Sequence, residues 1–134
     1  MNCLLKAIVF GVLIGLAMSG AYAAPASGKL QSVLKKYERT GETRRCLSRH
    51  SFGSIRAIDD RHLLIRVSPR TSYLSKLPHR CFGLRFHEGI AYKPAAGQVC
   101  RTDTFYVLDG TSSHGSACGF GPFEKLRRKS RKSK

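Results

Sequence analysis

Apolar and polar residues alternate through the middle of the chain. In "SIRAIDDRHLLIRV" (Ser54–Val67), Ile55 and Ala57 alternate with polar residues ahead of Asp59 and Asp60, and Leu63, Ile65 and Val67 are spaced the same way behind them. A period of two marks a strand with one buried face, and Asp favours turns because its carboxylate accepts from nearby backbone N–H groups. The stretch predicts a β-hairpin with Asp59-Asp60 at its corner. "TSYLSKL" predicts a strand or a helical turn closed by Pro78, "GLRFHEGIAYK" a second hairpin centred on His87-Glu88-Gly89, and "TFYVLDG" a strand ending at Gly110. "GTSSHGSACGFGP" is rich in Gly and Ser and reads as an ordered loop pinned by Cys118. The period changes ahead of Thr43. Leu30, Val33, Leu34 and Tyr37 fall at i, i+3, i+4 and i+7, one face of a short amphipathic helix that Gly41 would stop. Four apolar positions over so few turns suit packing on a domain better than lying on a membrane. The expected fold class is mainly β with a short N-terminal helix (α+β), a small antiparallel curled sheet or barrel.

Both ends of the chain break this pattern. "AIVFGVLIGLAM" is an apolar run after Lys6, and "SGAYA" follows with small residues at Ala21 and Ala23. This is the pattern of an export signal cut between Ala23 and Ala24, and the run is shorter than the roughly 18 to 20 residues of a spanning helix. No later apolar run is long enough to span a bilayer, so no transmembrane segment is expected after the leader. The last residues, "KLRRKSRKSK", place Lys125, Arg127, Arg128, Lys129, Arg131, Lys132 and Lys134 beside one apolar residue, which predicts a solvated, disordered tail. The expected organisation is a signal peptide over 1–23, a linker and short helix over 24–42, a β-rich disulfide-bonded domain over 43–124 and a basic tail over 125–134.

Charge and cysteines extend the picture. The chain carries 24 Lys and Arg against 8 Asp and Glu, a net +16. The excess extends well beyond the tail, so the whole body suits anionic partners such as envelope polymers or lipid head groups. Tyr37, Tyr73, Tyr92 and Tyr106 are scattered rather than set out as a stacking platform, which speaks against specific nucleic-acid reading. Four cysteines follow the leader: Cys46, Cys81, Cys100 and Cys118. An even count in a small exported domain predicts two disulfides, and the absence of any CxxC pair speaks against zinc. Of the three pairings the nested one is expected. Cys81 with Cys100 would staple a hairpin-like excursion, and Cys46 with Cys118 would close a long loop, where the entropic gain is larger.

Candidate chemistry is sparse. Asp59, Asp60 and His62 have the residue types for acid–base work, but adjacent strand residues face opposite sides, and carboxylates in a turn splay toward water. His50, His62, His79, His87 and His114 show neither HxH nor HExxH spacing, and no GxSxG is present. The Gly-rich stretch from Gly110 to Gly121 lacks Gly-Lys-Ser/Thr and a following helix, the parts a phosphate loop needs. No metal and no cofactor are expected. The leading reading is a non-enzymatic binding or structural module. Its alternatives are a small hydrolase with a composite His/Asp site and a secreted cationic protein acting on nucleic acid or anionic membranes.

From Cys46 onward, "CLSRHSFGSIRAIDDRHLLIRV", "YLSKLPHRCFGLRFH", "IAYK", "VCRTDTFYVLD" and "CGFGPFEKL" resemble a bacterial family of small exported proteins of unknown function with four cysteines. The resemblance takes in all four mature cysteines and leaves the basic tail outside. It implies envelope export and a compact, β-rich, disulfide-bonded domain, and it transfers no activity, ligand or catalytic residue.

Overall fold

The computed structural model describes residues 27–87, 89–110 and 114–130. In chain order these form α1 (Gly28–Leu34), β1 (Tyr37–Arg44), β2 (Cys46–Ser48), β3 (Ser54–Asp59), β4 (His62–Arg66), β5 (Thr71–Lys76), α2 (Leu84–His87), β6 (Ile90–Tyr92), β7 (Gln98–Cys100), β8 (Thr104–Leu108), β9 (His114–Gly119) and β10 (Phe123–Arg128). A five-stranded sheet runs β1-β10-β5-β4-β3, a two-stranded one pairs β2 with β7, and a three-stranded one runs β6-β8-β9. All pairings are antiparallel, so the fold is mainly β with a short leading helix, as the alternation implies.

The main core sits where the three sheets curl around one another. Leu63, Ile65, Tyr73 and Phe123 come from the long sheet, Leu47 and Val99 from the short pair, and Phe105 and Val107 from the third sheet. Phe120 is at its centre, within 4.8 Å of the Phe105 ring and 6.0 Å of the Phe123 ring, centroid to centroid. The long sheet is covered on its other face too. Leu64, Leu74, Ile58 and Leu126 point there and meet Leu30, Val33, Leu34 and Tyr37. The four residues of the expected helical face thus do pack together, although α1 ends at Leu34 and Tyr37 already belongs to β1. A chain that pairs with β10 from Tyr37 onward gains a ladder of backbone bonds that two further helical turns would forgo.

The hairpin is found where it was expected, with β3 and β4 paired and Asp59-Asp60 at the corner. Three other expectations are corrected. The stretch leading to His87 forms the helical turn α2 and not the arm of a second hairpin, because Cys81 and Leu84 are both buried and Asp60 accepts a bond from the Arg85 N–H. The Gly- and Ser-rich stretch supplies β9, whose small residues let it lie close to β8. A Cβ on Gly115 would crowd the Val107 carbonyl oxygen at 2.8 Å. The basic tail does not begin at Lys125. Lys125, Arg127 and Arg128 belong to β10, an inner strand between β1 and β5, held there by the buried Phe123 and Leu126. Arg131, Lys132 and Lys134, like the signal and its Ala23/Ala24 cut, lie outside the described residues.

The disulfides also differ from the nested expectation: Cys46 bonds Cys100, and Cys81 bonds Cys118. Cys46 and Cys100 are direct cross-strand partners in the β2–β7 pair, so register decides the first bond. Cys118 belongs to β9, in another sheet, and meets Cys81, whose N–H donates to the Asp60 carbonyl at 2.8 Å. Loop length favoured the nested order, but strand register overrides it. The bonds therefore overlap along the chain. Two disulfides are compatible with an oxidising, exported environment.

Candidate functional site

The Asp59-Asp60 corner was the first candidate, and its geometry serves the fold. The two carboxylates do not splay toward water: their side chains are only 15% and 12% exposed. Asp59 Oδ2 accepts from the Ser27 hydroxyl at 2.6 Å, and Oδ1 accepts from the Arg61 N–H at 2.8 Å. His62 Nδ1 lies 2.9 Å from the same Oδ1, and since an ionised carboxylate only accepts, Nδ1 carries the proton. Ser27 also accepts from the Leu30 N–H, capping α1. A nucleophile relay would need the serine on the histidine. Here both donate to one carboxylate, so the cluster ties α1 to the hairpin. Asp60 acts likewise toward α2, accepting from Arg80 Nη2 at 3.1 Å and from the Arg85 N–H at 3.1 Å. Among the described residues no three His, Cys, Asp or Glu side chains gather closely enough to hold a metal ion.

Asp59 carries a pH signature. Burial works to raise its pKa, but the bonds from Ser27, Arg61 and His62 together outweigh it and hold the carboxyl below its ordinary value. A carboxylate depressed on folding adds stability above its unfolded pKa, near 3.9, and loses it as pH falls through the lower folded value. Asp59→Asn is therefore expected to destabilise the protein most at neutral pH. The gap to the parent should narrow below about pH 4, read as urea midpoints over an acid series. A gap that stays constant into strong acid would count against this role.

A second place gathers charge of one sign. At the far end of the long sheet an open groove of about 710 Å³ is lined by Glu38, Arg70, Arg127, Arg128, Lys129 and Ser130. Three segments build it. Arg70 lies in the β4–β5 turn, where the Ser68 hydroxyl accepts from the Thr71 N–H. Arg127 and Arg128 end β10, cross-strand from Glu38 and Tyr37 of β1. Backbone bonds lock the parts: Arg128 N–H donates to the Arg70 carbonyl at 2.8 Å, and Lys129 N–H to the Lys36 carbonyl at 3.0 Å. Four cations and one carboxylate thus line the groove, on segments joined by backbone bonds. Guanidinium groups bind phosphate and carboxylate with paired N–H donors, so the groove suits an anionic chain. It has no aromatic lining for an apolar ligand.

Of the basic residues singled out in the sequence, Arg127, Arg128 and Lys129 come together here. Lys125 does not, because its Nζ bonds Glu42 at 2.7 Å, and the Lys125 and Arg44 bonds hold the Glu42 carboxyl below its ordinary pKa. Arg70 was missed in the sequence, where it is one arginine of a Ser-Pro-Arg turn and only the sheet brings it to β10. His62 meets Asp59 at the corner already described. No described helix is long and apolar enough to cross a membrane.

The model of a family of unknown function, DUF6491, matches residues 4–133. The chain belongs to that family. The DUF6491 match extends to residue 133 and so covers the basic C-terminal residues, which the resemblance had left outside. No curated protein and no solved structure matches the chain.

Proposed function

We propose that this DUF6491 protein is a non-enzymatic, exported module of the bacterial envelope that holds anionic polymers in the groove between Arg70 and Arg127–Lys129. The supporting observation is the groove's composition on a locked backbone, four cations against one carboxylate. The apolar leader and the two disulfides fit export. Among the described residues, the carboxylate bonded to a histidine, Asp59, is spent on holding α1 to the hairpin, which weighs against the hydrolase reading.

Binding of inorganic polyphosphate, titrated at several salt concentrations, tests the proposal. Arg70→Ala/Arg127→Ala/Lys129→Ala is expected to weaken binding about tenfold, since three exposed charge contacts at about 0.5 kcal/mol each sum to roughly that factor. The same charge removed elsewhere, at the exposed Arg56, Arg66 and Lys76, should change affinity far less. Equal losses from the two triple variants would reduce the groove to general cationic attraction and sink the assignment.

A further inference from the structure

We propose that the disulfide-anchored turn from Cys81 to His87 inserts Phe82 and Phe86 into the surface of a bilayer that carries anionic lipids. Phe82 and Phe86 are 67% and 72% exposed. Large apolar side chains that stand out together from a soluble domain mark an interaction surface. Their backbone is held firmly beneath them. Cys81 is buried and bonded to Cys118, Leu84 is fully buried, and the Asp60 carboxylate accepts from both Arg80 and the Arg85 N–H. The rings are thus presented on a fixed support.

Several observations select a bilayer as the occupant. Each ring has a guanidinium beside it, Arg80 5.2 Å from the Phe82 centroid and Arg85 4.7 Å from that of Phe86. A ring that enters the acyl boundary while its arginine stays at head-group level is the arrangement of interfacial anchors. Asp60 pairs with Arg80 and Glu88 follows His87 in the sequence, so the preference for anionic lipid comes from the whole chain, whose net charge is +16. A second copy of this chain would bring like charge to the same patch. The rings project from the surface, unlike the flat platforms on which nucleic-acid bases stack. Among the described residues the other large exposed apolar side chains, Tyr106 and Leu108, lie on the outer face of β8, and Leu108 N–H bonds the Gly89 carbonyl just after α2. That backbone bond sets the end of β8 beside the chain leaving α2. The polymer groove is elsewhere: Arg70 precedes β5 and this turn follows it, a strand of about 20 Å between them.

The chain contains no Trp, so Phe86→Trp supplies a single reporter. With vesicles of phosphatidylcholine and phosphatidylglycerol, its emission is expected to shift to the blue, and the shift should fall when phosphatidylcholine is used alone. Phe82→Ala/Phe86→Ala should lower vesicle co-sedimentation about tenfold or more, with folding unchanged because both rings are exposed. In Phe86→Trp combined with the groove triple substitution the blue shift should persist, which separates this proposal from the polymer reading. An unshifted emission at saturating vesicle, or co-sedimentation unchanged by the double substitution, would overturn it. So would a solution dimer that the double substitution dissociates, or indole emission from the Phe86→Trp variant that responds only to single-stranded oligonucleotide.

Discussion

Gly121→Ala should cost the domain a large part of its stability, at least about 3 kcal/mol where small domains hold 5 to 15. A Cβ at this position would fall inside the Lys76 carbonyl group, which is backbone and cannot rotate away. The site is also a two-way polar lock. The buried Ser75 hydroxyl donates to the Gly121 carbonyl at 3.1 Å and accepts from the Gly121 N–H at 3.0 Å. Moving the chain to admit a methyl group would break both bonds and shift Phe120 and Phe123 in the core. Gly28→Ala is the matched control, since a Cβ there meets nothing within 4 Å. Urea denaturation reads the two. A loss below about 0.5 kcal/mol for Gly121→Ala, the range of ordinary surface changes, would show that the β5–β10 contact relaxes freely.

The second large effect is loss of the Cys46–Cys100 bond. It joins residues 54 apart, and the chain-entropy relation assigns such a loop about 4 kcal/mol. Cys46→Ala/Cys100→Ala should therefore lower the urea midpoint sharply. The Cys81–Cys118 bond spans 37 residues and is worth nearly as much by the same relation, because the dependence on length is logarithmic. Removing both should leave little of the stability a domain of this size holds. A midpoint unchanged by the first double substitution would mean that the β2–β7 pair holds its register without the bond.

The hairpin around Asp59-Asp60 was legible because everything that decides it is local: apolar alternation on both arms and turn-forming residues between them. β10 was not. Its residues, "FEKLRR", read as the start of a basic tail, and only two of them, Phe123 and Leu126, are buried. What makes it a strand is β1 and β5 on either side, and partners distant in sequence leave no local trace. The same cause hid β9 and the disulfide pairing, both set by register between distant strands. The helix was misjudged in length rather than in face, since Tyr37 joins the cluster of Leu30, Val33 and Leu34 from the start of β1. For the groove, the basic residues of the C-terminal run were visible and Arg70 was not. The aspartates were visible as turn residues, while their work as anchors for Ser27, Arg80 and Arg85 depends on contacts across space.

The overlapping order of the two disulfides bears on how the molecule survives digestion. Arg61 and Arg101 are exposed at turns, one in each outer interval between the cysteines. A trypsin-like protease cutting after both would make three fragments, the first with Cys46, the second with Cys81 and Cys100, the third with Cys118. Cys46–Cys100 ties the first fragment to the second, and Cys81–Cys118 ties the second to the third. Nothing is released until a reductant arrives. In a nested arrangement the middle fragment would drift free after the same two cuts. A protein nicked at these two sites keeps its groove strands and its Phe82–Phe86 turn in one covalent body.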